Sequence, residues 1–232
     1  MKIKKALFLG LLGCLCFGSG DWLMIYGDTA YNGNVHWLTE GVAAIAPWRF
    51  TLAIGLAFPG ILFYGAALFA IERLILEEKD KKRYHYLTAF GLTPWMMLHL
   101  FYIMILYAFA WMNQNGDEGV AILAAEALYG YFSWVVIISE AMMLLPFFYW
   151  FYLQFTHKTV FPKMMAFTNV LIIYAVMYFI KTLLPDSPFR IGFTNGLMSE
   201  SMAVWFVMLM IGMGKGKQKR EDGGDTRQKA VS

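Results

Sequence analysis

The sequence predicts an all-α fold: a polytopic transmembrane bundle of about six helices, both termini cytoplasmic, with a short interfacial helix in the first outer loop. Three observations carry that expectation. The chain is 59% hydrophobic and 18% aromatic but only 15% charged, with a mean hydropathy of +0.52. Soluble domains hold roughly 45–50% apolar and about 25% charged residues, so this chain lacks the polar side chains to cover a globule in water. Second, long apolar stretches alternate with short polar or proline-rich breaks. Third, if each stretch crosses once, sixteen of the nineteen Lys and Arg residues fall on one side, and only Arg49, Lys181 and Arg190 on the other. That is the positive-inside pattern, and it orients the basic side to the cytoplasm.

The first span runs from about Ala6 to Tyr26, behind the basic start Met1–Lys5. A basic start and an apolar run also describe a signal peptide, and Leu11-Leu12-Gly13-Cys14 has some likeness to a lipoprotein cleavage site. The run before Cys14 is only Ala6–Gly13, however, and apolar residues continue through Ile25. An uncleaved helix of the ~20 residues that a crossing needs is therefore expected. Gly10, Cys14 and Gly18 recur every fourth residue, a small-residue stripe suited to close helix contact. Cys14 and Cys16 point to different faces of such a helix and cannot pair, so there is neither a disulfide framework nor a Cys-based metal site.

Tyr26–Pro47 is too polar and glycine-rich to cross. Within it His36–Ala46 reads as the interfacial helix, because Trp37, Leu38, Val42 and Ile45 recur at helical spacing. The second span runs from about Trp48 to Leu76, with a kink or break predicted at Pro59-Gly60. Glu77–Arg83 (EEKDKKR) reads as a solvated hairpin. The third span covers about Tyr86–Met112 and ends in the turn-rich Asn113–Gly119. Val120–Phe155 is longer than a crossing requires and contains Pro146 near its far end. Gln154–Lys163 is a short connection before a fifth span, Met164–Leu184. After the breaker Pro185–Pro188, a sixth span covers about Ile191–Met213. Residues 1–213 thus form one transmembrane domain. Residues 214–232, charged and almost free of aliphatic side chains, are expected to be a disordered cytoplasmic tail. No internal repeat supports an inverted-repeat transporter.

Ionisable groups within such spans are the candidate site, since each costs a few kcal/mol in lipid and needs a partner. Gly18–Arg49 is the densest source, holding Asp21, Asp28, His36, Glu40 and Arg49 between apolar walls. At ~1.5 Å per helical residue, Asp21, Arg49, Glu126, Lys181 and Arg190 share the outer level, while Glu140, Glu200 and His99 lie deeper. Glu126, Ser133 and Glu140 form one stripe, Tyr174, Tyr178 and Lys181 a second, and Asn195 and Ser199 a third beside Glu200. The expectation is an outer polar cavity ringed by Asp21, Glu40, Arg49, Glu126, Glu140, Lys181, Arg190 and Glu200, in which Asp21 or Glu40 lies near one of the three outer cations. A plainer account has Arg49, Lys181 and Arg190 snorkelling to headgroups, His99 hydrogen-bonded in the core, and the end-lying Trp and Tyr forming an aromatic belt.

The segment GDWLMIYGD (Gly20–Asp28), followed by WLTEGVAAIAPWRF (Trp37–Phe50), resembles a family of bacterial multi-pass integral membrane proteins that carries a domain of unknown function. The resemblance covers Ala6 through about Met213. It implies a bacterial plasma-membrane protein, and it brings no activity, cofactor or catalytic residue with it.

The chain contains no Walker loop, HExxH, GxSxG or CxxC. The four histidines are scattered, which disfavours a three-histidine zinc site, and no metal or cofactor is specified. A carboxylate-rich metal site at Asp21, Glu126, Glu140 or Glu200 is only weakly specified. A Schiff-base role for Lys181 does not suit its outer position. The expected partners are the lipid bilayer and a small-molecule or ion ligand; the short basic tail suggests no nucleic acid, and the oligomeric state is not specified. Three functions stay open: binding or transport of a small solute or ion through the outer cavity, an intramembrane enzyme acting on a lipid-like substrate with carboxylate acid/base groups, and a structural or regulatory subunit without a ligand.

Overall fold

The structure, a computed structural model, describes residues 2–30, 34–35 and 37–228, with side chains through residue 213. Backbone in lipid must satisfy its own hydrogen bonds, and among the described residues all extended regular structure is helical. Helices α1 (Ile3–Ile25), α3 (Pro47–Ile71), α4 (Glu78–Asn115) and α5 (Glu118–Phe155) are long and apolar enough to cross a membrane. So is the apolar part, Pro188–Met213, of α7 (Pro188–Gln228). Two shorter helices, α2 (Glu40–Ala43) and α6 (Val170–Leu183), complete the set. The charged segment after Met213 carries helical backbone as far as Gln228, and residues 229–232 of the expected tail lie outside the described residues.

Several boundaries differ from expectation for local reasons. The interfacial helix is a single turn, because the Thr39 hydroxyl caps it by accepting from the Val42 amide at 3.3 Å and Pro47 opens the next helix. His36, part of that expectation, lies outside the described residues. The EEKDKKR hairpin is instead the first two turns of α4, with Glu78 and Asp80 at its start, where acidic side chains complement the helix dipole. Asp80 is fully buried, not solvated. The fifth span divides at Asn169 into a 3₁₀ turn, Lys163–Thr168, and the 14-residue α6. Asn169 enforces the division by accepting from the Leu171 amide at 2.9 Å and donating to the Phe147 carbonyl at 3.1 Å. By contrast, α3, α4 and α5 run unbroken through Pro59, Pro94 and Pro146.

Glycine sets the closest packing. α1 and α3 run antiparallel, with Gly13 so near α3 that an added Cβ would come within 2.6 Å of the Gly60 carbonyl and the Tyr64 amide. Of the Gly10/Cys14/Gly18 stripe, Gly10 lies between α3 and α7, against Ala67 and Phe206, and Gly18 faces α7 at Ser199. Large apolar side chains that face outward, such as Phe90 and Ile137, each 66% exposed, give the bundle a lipid-like exterior.

The two ends of the bundle differ. At one end the loops after α3 and α5 are joined, the Leu76 amide donating to the Lys158 carbonyl at 2.9 Å and the Val160 amide to the Leu74 carbonyl at 3.0 Å. Gly212 of α7 meets Phe161 and Met165 at this end. At the other end Arg49 Nη2 donates to the Tyr26 carbonyl at 2.7 Å, and Gln114 Nε2 donates to the Ala43 and Ile45 carbonyls at 2.8 and 2.9 Å. The buried apolar residues form two clusters. The larger, around Tyr64, Trp150 and Trp205, fills the basic end and middle; the smaller, around Ile45, Phe50 and Phe109, fills the other end.

Candidate functional site

A cavity of about 210 Å³ lies at the seam between these clusters. Trp95 and Leu98 of the larger cluster line it together with Met24, Ile25 and Leu106 of the smaller one. Its polar lining comes from five helices. α1 contributes Asp21, α4 His99 and Tyr102, and α5 Glu140. α6 contributes Tyr174, and α7 Thr194 and Asn195. Trp37, from the segment before α2, covers one side with its ring centroid 5.4 Å from that of Tyr102.

Hydrogen bonding gives this lining a definite polarity. His99 Nδ1 lies 2.7 Å from the Trp95 carbonyl, which can only accept, so Nδ1 carries the proton and a neutral ring has its lone pair at Nε2. The Thr194 hydroxyl donates to the Arg190 carbonyl at 2.6 Å, and Asn195 Nδ2 donates to the Ile191 carbonyl at 2.9 Å. Trp95 Nε1 is turned away, donating to the Tyr64 hydroxyl at 3.0 Å. His99, Thr194 and Asn195 thus each spend a proton on their own helix and keep an acceptor atom. Among the described residues, no Lys or Arg lines the cavity.

Of the eight residues expected to ring a cavity, Asp21 and Glu140 line this one. Glu200 lies close enough to Asp21 to act on its charge, as does the Ser199 side chain. Its own carboxylate accepts from Trp22 Nε1 at 2.9 Å, beside a surface groove shared with Cys14 and Gly18. The others are elsewhere. Glu40 opens α2, and Glu126 accepts from the Asn34 backbone amide and, at 3.3 Å, from Asn34 Nδ2. Arg49 is held by the Tyr26 carbonyl, Lys181 Nζ lies 4.8 Å from the Tyr178 ring centroid, and Arg190 sits in the first turn of α7. Among the described residues Asp21 forms no ion pair with Arg49, Lys181 or Arg190. The Glu126–Ser133–Glu140 stripe does not act as a unit, since Ser133 bonds to its own helix at the Gly130 carbonyl.

Trp37, Trp95, Tyr102 and Thr194 were not legible as site residues. Their one signal is spacing: Trp95, Leu98, His99, Tyr102 and Leu106 repeat at helical intervals and form one face of α4. A second polar cluster lies at the other end of α4. Asp80 Oδ2 accepts from Lys158 Nζ at 2.8 Å and Oδ1 from the Tyr149 hydroxyl at 2.6 Å, which ties the start of α4 to the end of α5. That hydrogen bond, aided by the charge of the carboxylate, raises the Lys158 pKa above its ordinary value. Among the described residues, no group of three His, Cys, Asp or Glu side chains is placed to hold a metal ion.

The match to known families spans nearly all of this architecture, residues 1–216. The chain belongs to DUF6796, a family of unknown function. The DUF6796 match includes every element that lines the cavity and ends just past the apolar part of α7. No curated protein and no solved structure matches the chain.

Proposed function

We propose that this DUF6796 member binds or moves a small solute through the cavity at the helix seam, reached from the outer side of a bacterial plasma membrane. What supports this reading is a cavity to which five helices bring polar side chains, Asp21, His99 and Glu140 among them, inside a bundle with an apolar exterior. In lipid, polar side chains turned inward define a solute path.

The proposed topology has six crossings and both termini cytoplasmic, with α6 as the short crossing and α2 at the outer interface. Two facts support it. α5 ends and α7 terminates its apolar part at the same end, where Phe161 and Met165 meet Gly212, while α7 begins at the opposite end beside Trp22, which packs on Gly192. The chain from residue 163 to residue 187 must therefore traverse the bundle.

The test is access. In a chain whose cysteines are replaced by Ala, Asn195→Cys should react with a membrane-impermeant thiol reagent supplied outside, and lipid-facing Phe90→Cys should not. Equal, slow labelling of both would rule out an outer aqueous path.

A lipid-like substrate for an intramembrane enzyme is the second reading. α6 packs far more on α7 than on α5, and Glu140 and Tyr174 face the cavity from those two less-joined helices. It ranks second because acid/base chemistry requires groups within hydrogen-bond reach, and Asp21, His99 and Glu140 are not bonded to one another. A structural subunit without a ligand would leave the donor arrangement of the lining without a purpose.

A further inference from the structure

We infer that the cavity takes a small organic ammonium ion, whose N–H groups and positive charge match the acidic side chains and acceptor atoms of the lining; this rests on the solute-binding reading above. Charge comes first. Asp21 and Glu140 line the space and, among the described residues, no Lys or Arg does, so the lining favours a cation over an anion. Hydrogen bonding points the same way. His99 Nδ1, the Thr194 hydroxyl and one N–H of Asn195 Nδ2 donate to helix carbonyls at 2.6–2.9 Å, and the imidazole Nε2, the hydroxyl oxygen and the amide oxygen keep their capacity to accept. Each of these can accept from an N–H of the occupant.

Aromatic surface completes the match. Trp37, Trp95, Tyr102 and Tyr174 share the lining with the carboxylates, and ring faces attract ammonium groups most strongly when these are desolvated. A bare metal ion fits poorly, because no group of three His, Cys, Asp or Glu ligands is assembled among the described residues. Size sets the upper limit. At about 210 Å³ the cavity is smaller than the ~300–1,000 Å³ typical of sites for drug-sized ligands, so the amine has only a few heavy atoms.

The experiment uses the full chain in lipid nanodiscs, with tryptophan emission and the thermal unfolding midpoint as readouts. The probes are methylammonium, ethanolamine, acetate and acetamide. The two ammonium probes should raise the midpoint and shift the emission, with acetate and acetamide inert. Glu140→Gln should weaken ammonium binding about tenfold, the worth of one charged hydrogen bond. Glu140→Lys, at an exposed position of α5, should abolish ammonium binding and admit acetate. Acetate or acetamide binding as tightly as the ammonium probes would overturn the inference, as would ammonium binding unchanged in both Glu140 variants. So would a chain whose Asn195→Cys is labelled from outside yet whose parent binds neither ammonium probe; the solute reading would then stand and the ligand class would fall.

Discussion

A carboxylate inside a bundle takes whatever donors its neighbours offer, and Glu200 takes the indole N–H of Trp22 at 2.9 Å. The indole also packs on Gly192 and Gly196 of α7, so Trp22→Phe keeps most of that contact while removing the donor. Its expected cost is about 1–3 kcal/mol, the penalty for a carboxylate left unsatisfied, read from reversible unfolding in mild detergent. Combining it with Glu200→Leu should recover part of the loss, because the unsatisfied group is then gone. Lys158 gives a pH-dependent case. Its folded pKa lies above the ordinary lysine value of 10.5 through its bond to Asp80. The stability it contributes is complete below the unfolded pKa and is lost as pH rises through the folded one. The stability difference between wild type and Lys158→Met should stay constant to about pH 10 and shrink above it. A difference independent of pH up to 12 would contradict the pairing. Asp80 shows why this pair escaped the sequence: in EEKDKKR one aspartate looks like its neighbours, and only the arrival of Tyr149 and Lys158 makes it a buried anchor.

At the scale of elements, contacts depend on where a helix exposes backbone. Pro146 has no amide to give the Met142 carbonyl, and Gly91 of α4 packs on that same carbonyl, where an added Cβ would lie 2.7 Å from the oxygen and 3.0 Å from the Met143 Cα. Gly91→Ala should therefore push α4 from α5 at a cost of about 1–3 kcal/mol, seen as a lower unfolding midpoint. Gly55, whose Cβ would meet nothing within 4 Å, is the control and should tolerate Ala. Asn169 plays a corresponding part for α6, joining its first turn to the Phe147 carbonyl. Asn169→Ala should cost about 1 kcal/mol for the lost cap and loosen α6 at the wall of the cavity, with Tyr174 as the reporting side chain. Hydrogen exchange of the first turn of α6 should rise selectively.

For the whole molecule the testable statement is sidedness. The ion-paired basic end should face the cytoplasm, and the Gln114 and Arg49 end the outside. In a chain without native cysteines, Asn115→Cys and Asp186→Cys should label from outside intact cells, and Lys163→Cys only after permeabilisation. Labelling of Asp186→Cys and Lys163→Cys from the same side would mean that α6 does not cross, leaving five crossings and termini on opposite sides.

The sequence by itself determined the helical class and the long apolar stretches suited to cross a membrane, because these follow from composition and from where apolar runs break. It also marked Asp21 and Glu140 as worth explaining, since a carboxylate among apolar residues stands out whichever way its helix turns. Only the tertiary structure decided which face of each helix turns inward. In a soluble helix an apolar stripe would have shown this, but here lipid and core are equally apolar and the stripe vanishes. Trp95 and Tyr102 therefore read like Phe90 and Trp111 until helix rotation places the first pair at the cavity and the second on the outside. Rotation likewise split the expected ring of eight, leaving Asp21 and Glu140 at the seam and Arg49, Glu126 and Lys181 with partners of their own elsewhere.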